Sequence, residues 1–337
     1  MNPFALVDIG ETGVSITQLG IGGVFVAGRE HGDGTPTGDY ANAIATVERA
    51  HELGIRYFDT APFYGRGRSE VRYGRALQAF ARDSFVLSSK VGRLLIPDPD
   101  DPGVWPEDNL VRMTARFDMT RDGILRALDE SLSRHRLGHV DVVYLHDPDW
   151  ENLEDEAIAT ALPTLVELRD QGLVKAIGVG MNQWEMPARF MEHFHLDIVL
   201  LAGRYTLLDQ SAFAEFLPLC EAKGTHIALG GPYNSGILAS QDLNGPTWFN
   251  YQQATAEWID KAKALKRVCD AHKVDMRAAA LQFPLAHPAV ASVIPGAASP
   301  AQVEQNVALL KAEIPAGLWS TLKAEQLIPA NAPVPTS

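Results

Sequence analysis

The chain contains only two cysteines in 337 residues, Cys220 and Cys269. Both fall in segments with a helical pattern, which excludes a disulfide framework and a cysteine metal site and points to a reducing compartment. No stretch reaches about 18 consecutive apolar residues, and Met1-Asn2-Pro3-Phe4-Ala5-Leu6-Val7-Asp8 has no basic segment ahead of an apolar run. Neither a membrane span nor a secretory leader is expected, and the location expected is cytoplasmic. Cations are in short supply, 29 Lys and Arg against 42 Asp and Glu, a net charge of −13. That balance counts against nucleic acid or an anionic membrane as partner and leaves small molecules. No Gly-x-Gly-x-x-Gly follows a strand pattern, so a Rossmann nucleotide site is not indicated. There is no internal repeat and no linker composition. Residues 1–337 therefore read as a single domain whose 46% apolar content supports a large core, with the polar, proline-rich segment 330–337 expected to be a mobile tail.

What the chain does have is a recurrence of short apolar runs with helical patterns between them. The runs lie near Leu19 to Ala27, Arg56 to Asp59, Phe85 to Ser89, Val140 to Leu145, Lys175 to Val179, Ile198 to Leu201, His226 to Leu229 and Ala291 to Ile294. Alternating strands and helices imply a parallel sheet covered on both faces, and eight such units close a (β/α)8 TIM barrel; a doubly wound open sheet is the second choice. Ser69 reads as an N-cap before a helix from Glu70 to Phe80, and Thr120 as one before a helix from Arg121 to Arg136 that Gly138 stops. The segment from Ile9 to Thr17 predicts a small N-terminal β-hairpin capping the barrel's N-terminal end. Two long loops are expected over the C-terminal face, from Leu94 to Phe117 and from Pro232 to Ala254. Trp105 and Trp248 in those loops, with Phe63, are candidate substrate-pocket residues, the alternative being that the indoles staple their own loops.

The strand ends carry chemistry. Tyr57-Phe58-Asp59-Thr60-Ala61-Pro62-Phe63-Tyr64-Gly65, Ser88-Ser89-Lys90-Val91-Gly92 and Asp141-Val142-Val143-Tyr144-Leu145-His146-Asp147-Pro148 each begin as buried strand and end polar, as residues at the mouth of a parallel barrel do. Taken singly, Lys90 reads as an ion-paired lysine and His146 as a structural histidine. Together, four ionisable groups at the ends of the second, third and fourth strands converge on one face. An ammonium beside a phenol favours the phenolate, so Lys90, fixed by Asp59, is expected to lower the pKa of Tyr64. With His146 to orient a substrate oxygen, Asp59, Tyr64, Lys90 and His146 suit interconversion of carbonyl and alcohol.

These four residues resemble the catalytic tetrad of the aldo-keto reductases. The resemblance extends through "FDTAPFYG" with Arg68-Ser69-Glu70, "SSKVG", "YLHDPD", "AIGVGMNQW" and "SVIPGAASPAQVEQN", in the family's order along nearly the whole chain. The blocks from Leu201 to Asp209 and from Gly230 to Leu238 look like the branch of aldose and pyridoxal dehydrogenases. The resemblance implies NAD-dependent oxidation of a cyclic hemiacetal to a lactone, on an aldose at its anomeric carbon or alternatively on pyridoxal. It also leaves open a general aldehyde or ketone reductase, or a non-catalytic NAD-sensing barrel akin to potassium-channel β subunits.

By the same resemblance, Asn182 would hold the nicotinamide carboxamide. Gly23, Tyr233, Ser235, Gly236 and Leu238 would lie along the dinucleotide, and Pro295, Gly296, Ser299, Gln302, Gln305 and Asn306 would surround its adenosine end. Ser299 followed by Pro300 also reads simply as the capped start of the last barrel helix, and both readings hold together because helix N-termini bind anions. The family's nicotinamide-stacking aromatic is replaced here by Gly230, and an amide-bearing position by Ala202. Ala298 stands where NADP-dependent members carry Arg or Lys, so NAD is expected over NADP. A competing enzyme class is a metal-dependent hydrolase using His146, Asp147 and Asp149 with His226. Those first three lie too close in sequence to surround a metal unaided, and no metal is expected.

Overall fold

The computed structural model describes residues 1–30, 36–37, 40–240, 242–245 and 247–336. Gln241 and Pro246 of the second expected loop, and Ser337 of the expected mobile tail, lie outside the described residues.

The apolar runs form eight parallel strands: β1 (Ile21–Gly22), β2 (Tyr57–Asp59), β3 (Val86–Val91), β4 (Val142–His146), β5 (Ala176–Met181), β6 (Ile198–Ala202), β7 (His226–Gly230) and β8 (Val290–Ile294). They pair in chain order from β1 to β8, and the parallel bridges Leu19↔Val293 and Gly22↔Gly296 bring the last strand against the first. The sheet is thus a (β/α)8 barrel. Burial is complete along β2, β4, β5 and β8, as expected of strands covered on both faces. The surrounding helices are α1 (Tyr40–Leu53), α2 (Arg68–Leu77), α3 (Arg121–His135), α4 (Leu162–Asp170), α5 (Glu185–His193), α6 (Phe216–Lys223), α7 (Ala256–Ala271), α8 (Met276–Gln282), α9 (Pro300–Lys311) and α10 (Ala316–Ala324). Cys220 and Cys269 are buried and free on α6 and α7.

The N-terminal hairpin pairs Leu6–Asp8 with Ser15–Thr17. Its Ile9, Val14 and Ile16 pack with Val142, Ala176, Ile198 and Ala291, residues at or near the N-terminal ends of their strands, so the hairpin plugs that end of the barrel. The other end is left for a site. There the first run is shorter than expected. After Gly22 the chain turns, because a Cβ at Gly23 would lie 2.8 Å from the Asp59 carbonyl oxygen and the Ala27 amide bonds back to the Gly23 carbonyl.

The expected loop from Leu94 to Phe117 is largely ordered as two antiparallel hairpin pairings, Arg93–Pro97 with Met113–Phe117 and Val104–Trp105 with Leu110–Val111. The second loop carries the short pairing Trp248–Phe249 with Gln252–Gln253. In the terminal segment, Ala332 is buried and Val334 packs against the core.

Thr120 caps α3 as expected, its hydroxyl accepting from the Gly123 amide at 3.1 Å. Ser69 does not cap α2. The helix begins two residues earlier than expected, at Arg68 after the left-handed Gly67, and the Ser69 hydroxyl instead donates to the Gly23 carbonyl and pairs with Thr60. It ties α2 to the loops after β1 and β2.

Helix α2 also crosses the end of α3 closely at Gly74, where a Cβ would overlap the His135 carbonyl oxygen. Helix propensity alone favours alanine there by about 1 kcal/mol. Overpacking against backbone costs about 1–3 kcal/mol and cannot be relieved by a rotamer change. Gly74→Ala is therefore expected to lower the urea midpoint of unfolding; a raised midpoint would show that the two helices separate freely.

Candidate active site

Three strand ends and one turn build the site. Asp59 closes β2, Lys90 lies near the end of β3 and His146 closes β4; Tyr64 sits five residues past β2, in the turns between Pro62 and Gly67. Residues 57–59 pair with 86–88, and Tyr144 pairs with Lys90, so the register carries all three strand-end groups to one mouth. The sequence-predicted quartet is thereby brought together.

Lys90 is buried, and its Nζ donates to Asp59 Oδ1 at 2.8 Å, Asp59 Oδ2 at 2.7 Å and the Thr60 carbonyl at 2.9 Å. Ser88 Oγ donates to Asp59 Oδ1 at 2.7 Å and lies 3.3 Å from Tyr57 Oη, which in turn pairs with Tyr144 Oη at 2.8 Å. These hydroxyls form a polar layer below the site. Burial pushes the Asp59 carboxyl up and the Lys90 ammonium down, while each partner's charge opposes the shift.

Lys90 Nζ lies 4.7 Å from the centroid of the Tyr64 ring. The expected lowering of the phenol pKa is corrected by the structure. Burial raises Tyr64 well above its usual value of 10, Asp59, Tyr251 and Asp147 add to the rise, and Arg93 opposes it. The physical reason is that burial disfavours the charged phenolate, and the negative charge of Asp59, which takes two of the Lys90 hydrogen bonds, adds to that cost. His146 stacks edge-on to Tyr64 with centroids 5.7 Å apart, and burial, followed by the charges of Lys90 and Arg93, holds its pKa well below 6.5. A neutral imidazole can donate from one nitrogen to a substrate oxygen.

Tyr64, Lys90 and His146, with Phe63, Asp147 and Asn182, line a cavity of about 580 Å³, a size suited to a small molecule, and Asp59 lies behind Lys90 rather than on its wall. Trp105 and Trp248 do not line it, which corrects their assignment. Trp105 is held between Arg68 and Arg112 at 4.6 and 4.4 Å, and Trp248 is 55% exposed on its hairpin. Trp105 thus joins its loop to the start of α2, and Trp248 belongs to its own hairpin. Their places are taken by Trp150 and Tyr251. Trp150 follows His146 by four residues in a turn after a strand end, the kind of position that could have identified it.

Of the residues assigned to a cofactor by resemblance, Asn182 lines the cavity, its Nδ2 making a long 3.4 Å contact to Asp147 Oδ1. Asn234, Ser235 and Gly236 form a left-handed turn with φ of 45°, 56° and 95°, ending near the buried Leu238. Tyr233 Oη donates to Asn306 Oδ1 at 2.9 Å, linking that turn to α9. Ser299 caps α9, whose first turn has no acidic residue, and Pro300 follows it. Gln302 Oε1 accepts from the Ala298 amide at 2.8 Å, and Gln305 is exposed one turn into the helix. Pro295 and Gly296 form the seam beside β1: the Pro295 carbonyl accepts from the Gly22 amide, and a Cβ at Gly296 would run into the Phe25 ring. Gly23 is packed beneath the mouth rather than on the cavity wall.

Among the described residues no three His, Cys, Asp or Glu side chains come together as a metal set. His226 opens β7 at the N-terminal end of the barrel, whereas His146 closes β4 at the other end, so the two cannot share an ion.

Residues 18–325 match the Aldo/keto reductase family. The chain belongs to that family. It is 42% identical over 292 residues to the D-threo-aldose 1-dehydrogenase of a Pseudomonas species, covering 85% of this chain and 88% of that one. It is 38% identical over 338 residues to the pyridoxal 4-dehydrogenase of Microbacterium luteolum, covering 95% and 97%. In three dimensions it is similar to an aldo-keto reductase of Bacillus halodurans in its holo form, with a TM-score of 0.76 at 24% identity over 98% of each chain. That likeness supports the fold.

Tyr64 supplies the phenol on the cavity wall beside Lys90. Tyr64→Phe is expected to lower turnover at least about 100-fold, the scale of a lost general acid–base group, while dinucleotide affinity measured by fluorescence titration stays within a few-fold. Activity within a few-fold of the parent would remove Tyr64 from the chemistry.

Proposed function

We propose that this family member, read as one catalytic barrel domain over residues 1–337, oxidises the cyclic hemiacetal of an aldose to a lactone with NAD. The observation that carries the reading is the convergence of Tyr64, the Lys90–Asp59 pair and His146 on one cavity, together with 42% identity to an aldose 1-dehydrogenase. A second reading, oxidation of pyridoxal in its hemiacetal form, rests on the 38% identity to a pyridoxal 4-dehydrogenase over nearly its whole length.

The residues present fit a dinucleotide. Asn182 offers a side-chain amide with only a long contact to Asp147. The left-handed turn at 234–236 and the Ser299-capped start of α9 are backbone features suited to phosphate, since helix N-termini and such turns favour anions. Residues 295–302 contain no Arg or Lys, and Arg49, which meets α9 from α1, is paired with Glu304 and Glu52. A 2′-phosphate would lack a charge-assisted partner in that turn, which favours NAD.

Bound NAD supplies the acceptor for hydride from the carbon that bears the hydroxyl. Tyr64 Oη takes the hydroxyl proton, and the neutral His146 ring donates to the same oxygen and orients it. Burial disfavours the phenolate that oxidation requires and the positive charge of Arg93 opposes that, while Lys90, fixed by Asp59, stands beside the ring. Because Tyr64 is held above its usual pKa in the absence of ligand, oxidation gains as pH rises past neutrality, and carbonyl reduction is favoured at lower pH.

Three measurements test this reading. Ala298→Arg is expected to move the preference ratio towards NADP by about 10-fold or more, the scale of one charge-assisted hydrogen bond. A parent enzyme that already prefers NADP would overturn the cofactor assignment. A panel of L-fucose, D-arabinose, L-galactose and pyridoxal, followed through NADH absorbance, is expected to give the highest kcat/KM on an aldose. NMR of the early mixture, at a pH where lactones hydrolyse slowly, is expected to show lactone before free acid. Both cysteines are buried on helices outside the cavity, so no thiol is available for an acyl intermediate from an open-chain aldehyde. Acid appearing first, with the isolated lactone stable under the same conditions, would sink the mechanism.

A further inference from the structure

One carboxylate of the cavity wall, Asp147, is paired with an arginine behind that wall and has no role in the proton transfer. Arg93 begins the strand that follows β3 and is buried, with its guanidinium carbon 4.3 Å from the Phe63 ring centroid, 4.6 Å from Phe117 and 4.5 Å from Trp150. Three aromatic rings exclude water from the guanidinium and hold it in place. Its Nη2 donates to Asp147 Oδ2 at 2.9 Å.

Asp147 is itself buried, yet it lines the same cavity as Tyr64, Lys90 and His146. Its backbone is left-handed, φ 44° and ψ 54°, and is pinned by its amide donating to the Gly180 carbonyl and its carbonyl accepting from the Trp150 amide. A non-glycine residue held in that region at a cavity wall is a common mark of a functional constraint. Oδ2 is taken by Arg93 and lies 3.4 Å from His146 Nε2, whereas Oδ1 has only the long 3.4 Å contact from Asn182. A carboxylate oxygen accepts two hydrogen bonds, so Oδ1 has acceptor capacity to spare. An anion in a desolvated wall without its full complement of donors is selective, because a ligand lacking the matching donor leaves it unsatisfied.

The carboxylate adjoins the imidazole assigned to the reacting oxygen. A hydroxyl that reaches Asp147 while that oxygen meets His146 belongs to a neighbouring carbon. We propose that Asp147, held by Arg93, is a specificity-determining acceptor for a hydroxyl on the carbon next to the one oxidised. This inference rests on the aldose reading and narrows it: the site reads a vicinal diol, not only a hemiacetal.

The test pairs an aldose with its 2-deoxy counterpart on the parent enzyme and on Asp147→Asn, whose amide oxygen can still accept from Arg93 and so preserves the wall. On the parent, the deoxy sugar is expected to lose at least about tenfold in kcat/KM, the scale of a hydrogen bond to a charged group. On Asp147→Asn, most of that discrimination is expected to vanish, with the aldose falling further than the deoxy sugar. Equal use of both sugars by the parent overturns the proposal without any variant. An equal loss on both sugars in Asp147→Asn also overturns it, since that is what a merely structural ion pair produces. A parent that oxidises pyridoxal but neither aldose overturns the functional reading first and this inference with it, a result distinct from the other two.

Discussion

The buried ion pair between Lys90 and Asp59 is the constraint around which the site is arranged. An ammonium and a carboxylate removed from water are stable only with close geometry and further hydrogen bonds, and removing one partner of such a pair costs about 3–5 kcal/mol. Here the needed donors and acceptors come from the strands themselves: the Thr60 carbonyl on the lysine and Ser88 on the aspartate. Tyr57 and Tyr144 complete the layer beneath. Because Asp59 and Lys90 lie on adjacent strands, the pair also fixes the relation of β2 to β3 at the rim. Tyr64, five residues past Asp59, is positioned by the short turns that leave that rim.

That same pairing explains why the convergence of Asp59, Tyr64, Lys90 and His146 was legible in the sequence while its electrostatics were not. A run of buried residues ending in Asp, Lys or His shows that a polar side chain stands at a strand tip. It does not show how three donor hydrogens of a lysine are divided. The expectation that Lys90 lowers the Tyr64 pKa assumed an ammonium directed at the phenol, whereas the structure directs its hydrogen bonds to Asp59 and the backbone. Pairwise proximity was the right inference, and the sign of the resulting shift was set first by burial and then by the charge of Asp59.

The fold was legible for a related reason. Strands covered on both faces leave continuous apolar runs, and all eight expected segments overlap their observed strands over most of the observed length. The first overruns its short strand, because Gly20, Gly22 and Gly23 let the chain pass close to Tyr57, Ile294 and Asp59 and then turn. The paired segments inside residues 93–117 were hidden by prolines, which break the alternation by which a strand is recognised even when they sit at its end, as Pro97 does. Ser69 misled for another reason: a serine before a helical run is a cap only if its hydroxyl turns back on the helix, and here the loops after β1 and β2 compete for it successfully.

The division between strands and loops also separates chemistry from recognition. The barrel interior near the mouth is kept small by Gly180, Ala202 and Gly230, where a Cβ on Gly230 would meet Leu200 at 3.2 Å. Bulk is supplied from outside the sheet: Phe25 from the turn after β1, Phe63 from the turn after β2, Trp150 from the turn after β4, and Tyr251 from its hairpin. A loop side chain can change without disturbing the ion pair that the strand register fixes, so cavity shape can vary while the arrangement of Asp59, Lys90 and His146 persists. Arg93 and Asp147 stand on the boundary between the two, each within three residues of Lys90 or His146 and each held by aromatic residues or backbone from the loops. That placement makes the pair a point where loop packing reaches the strand ends: whatever moves Phe63 or Trp150 moves the guanidinium, and with it the carboxylate that adjoins His146.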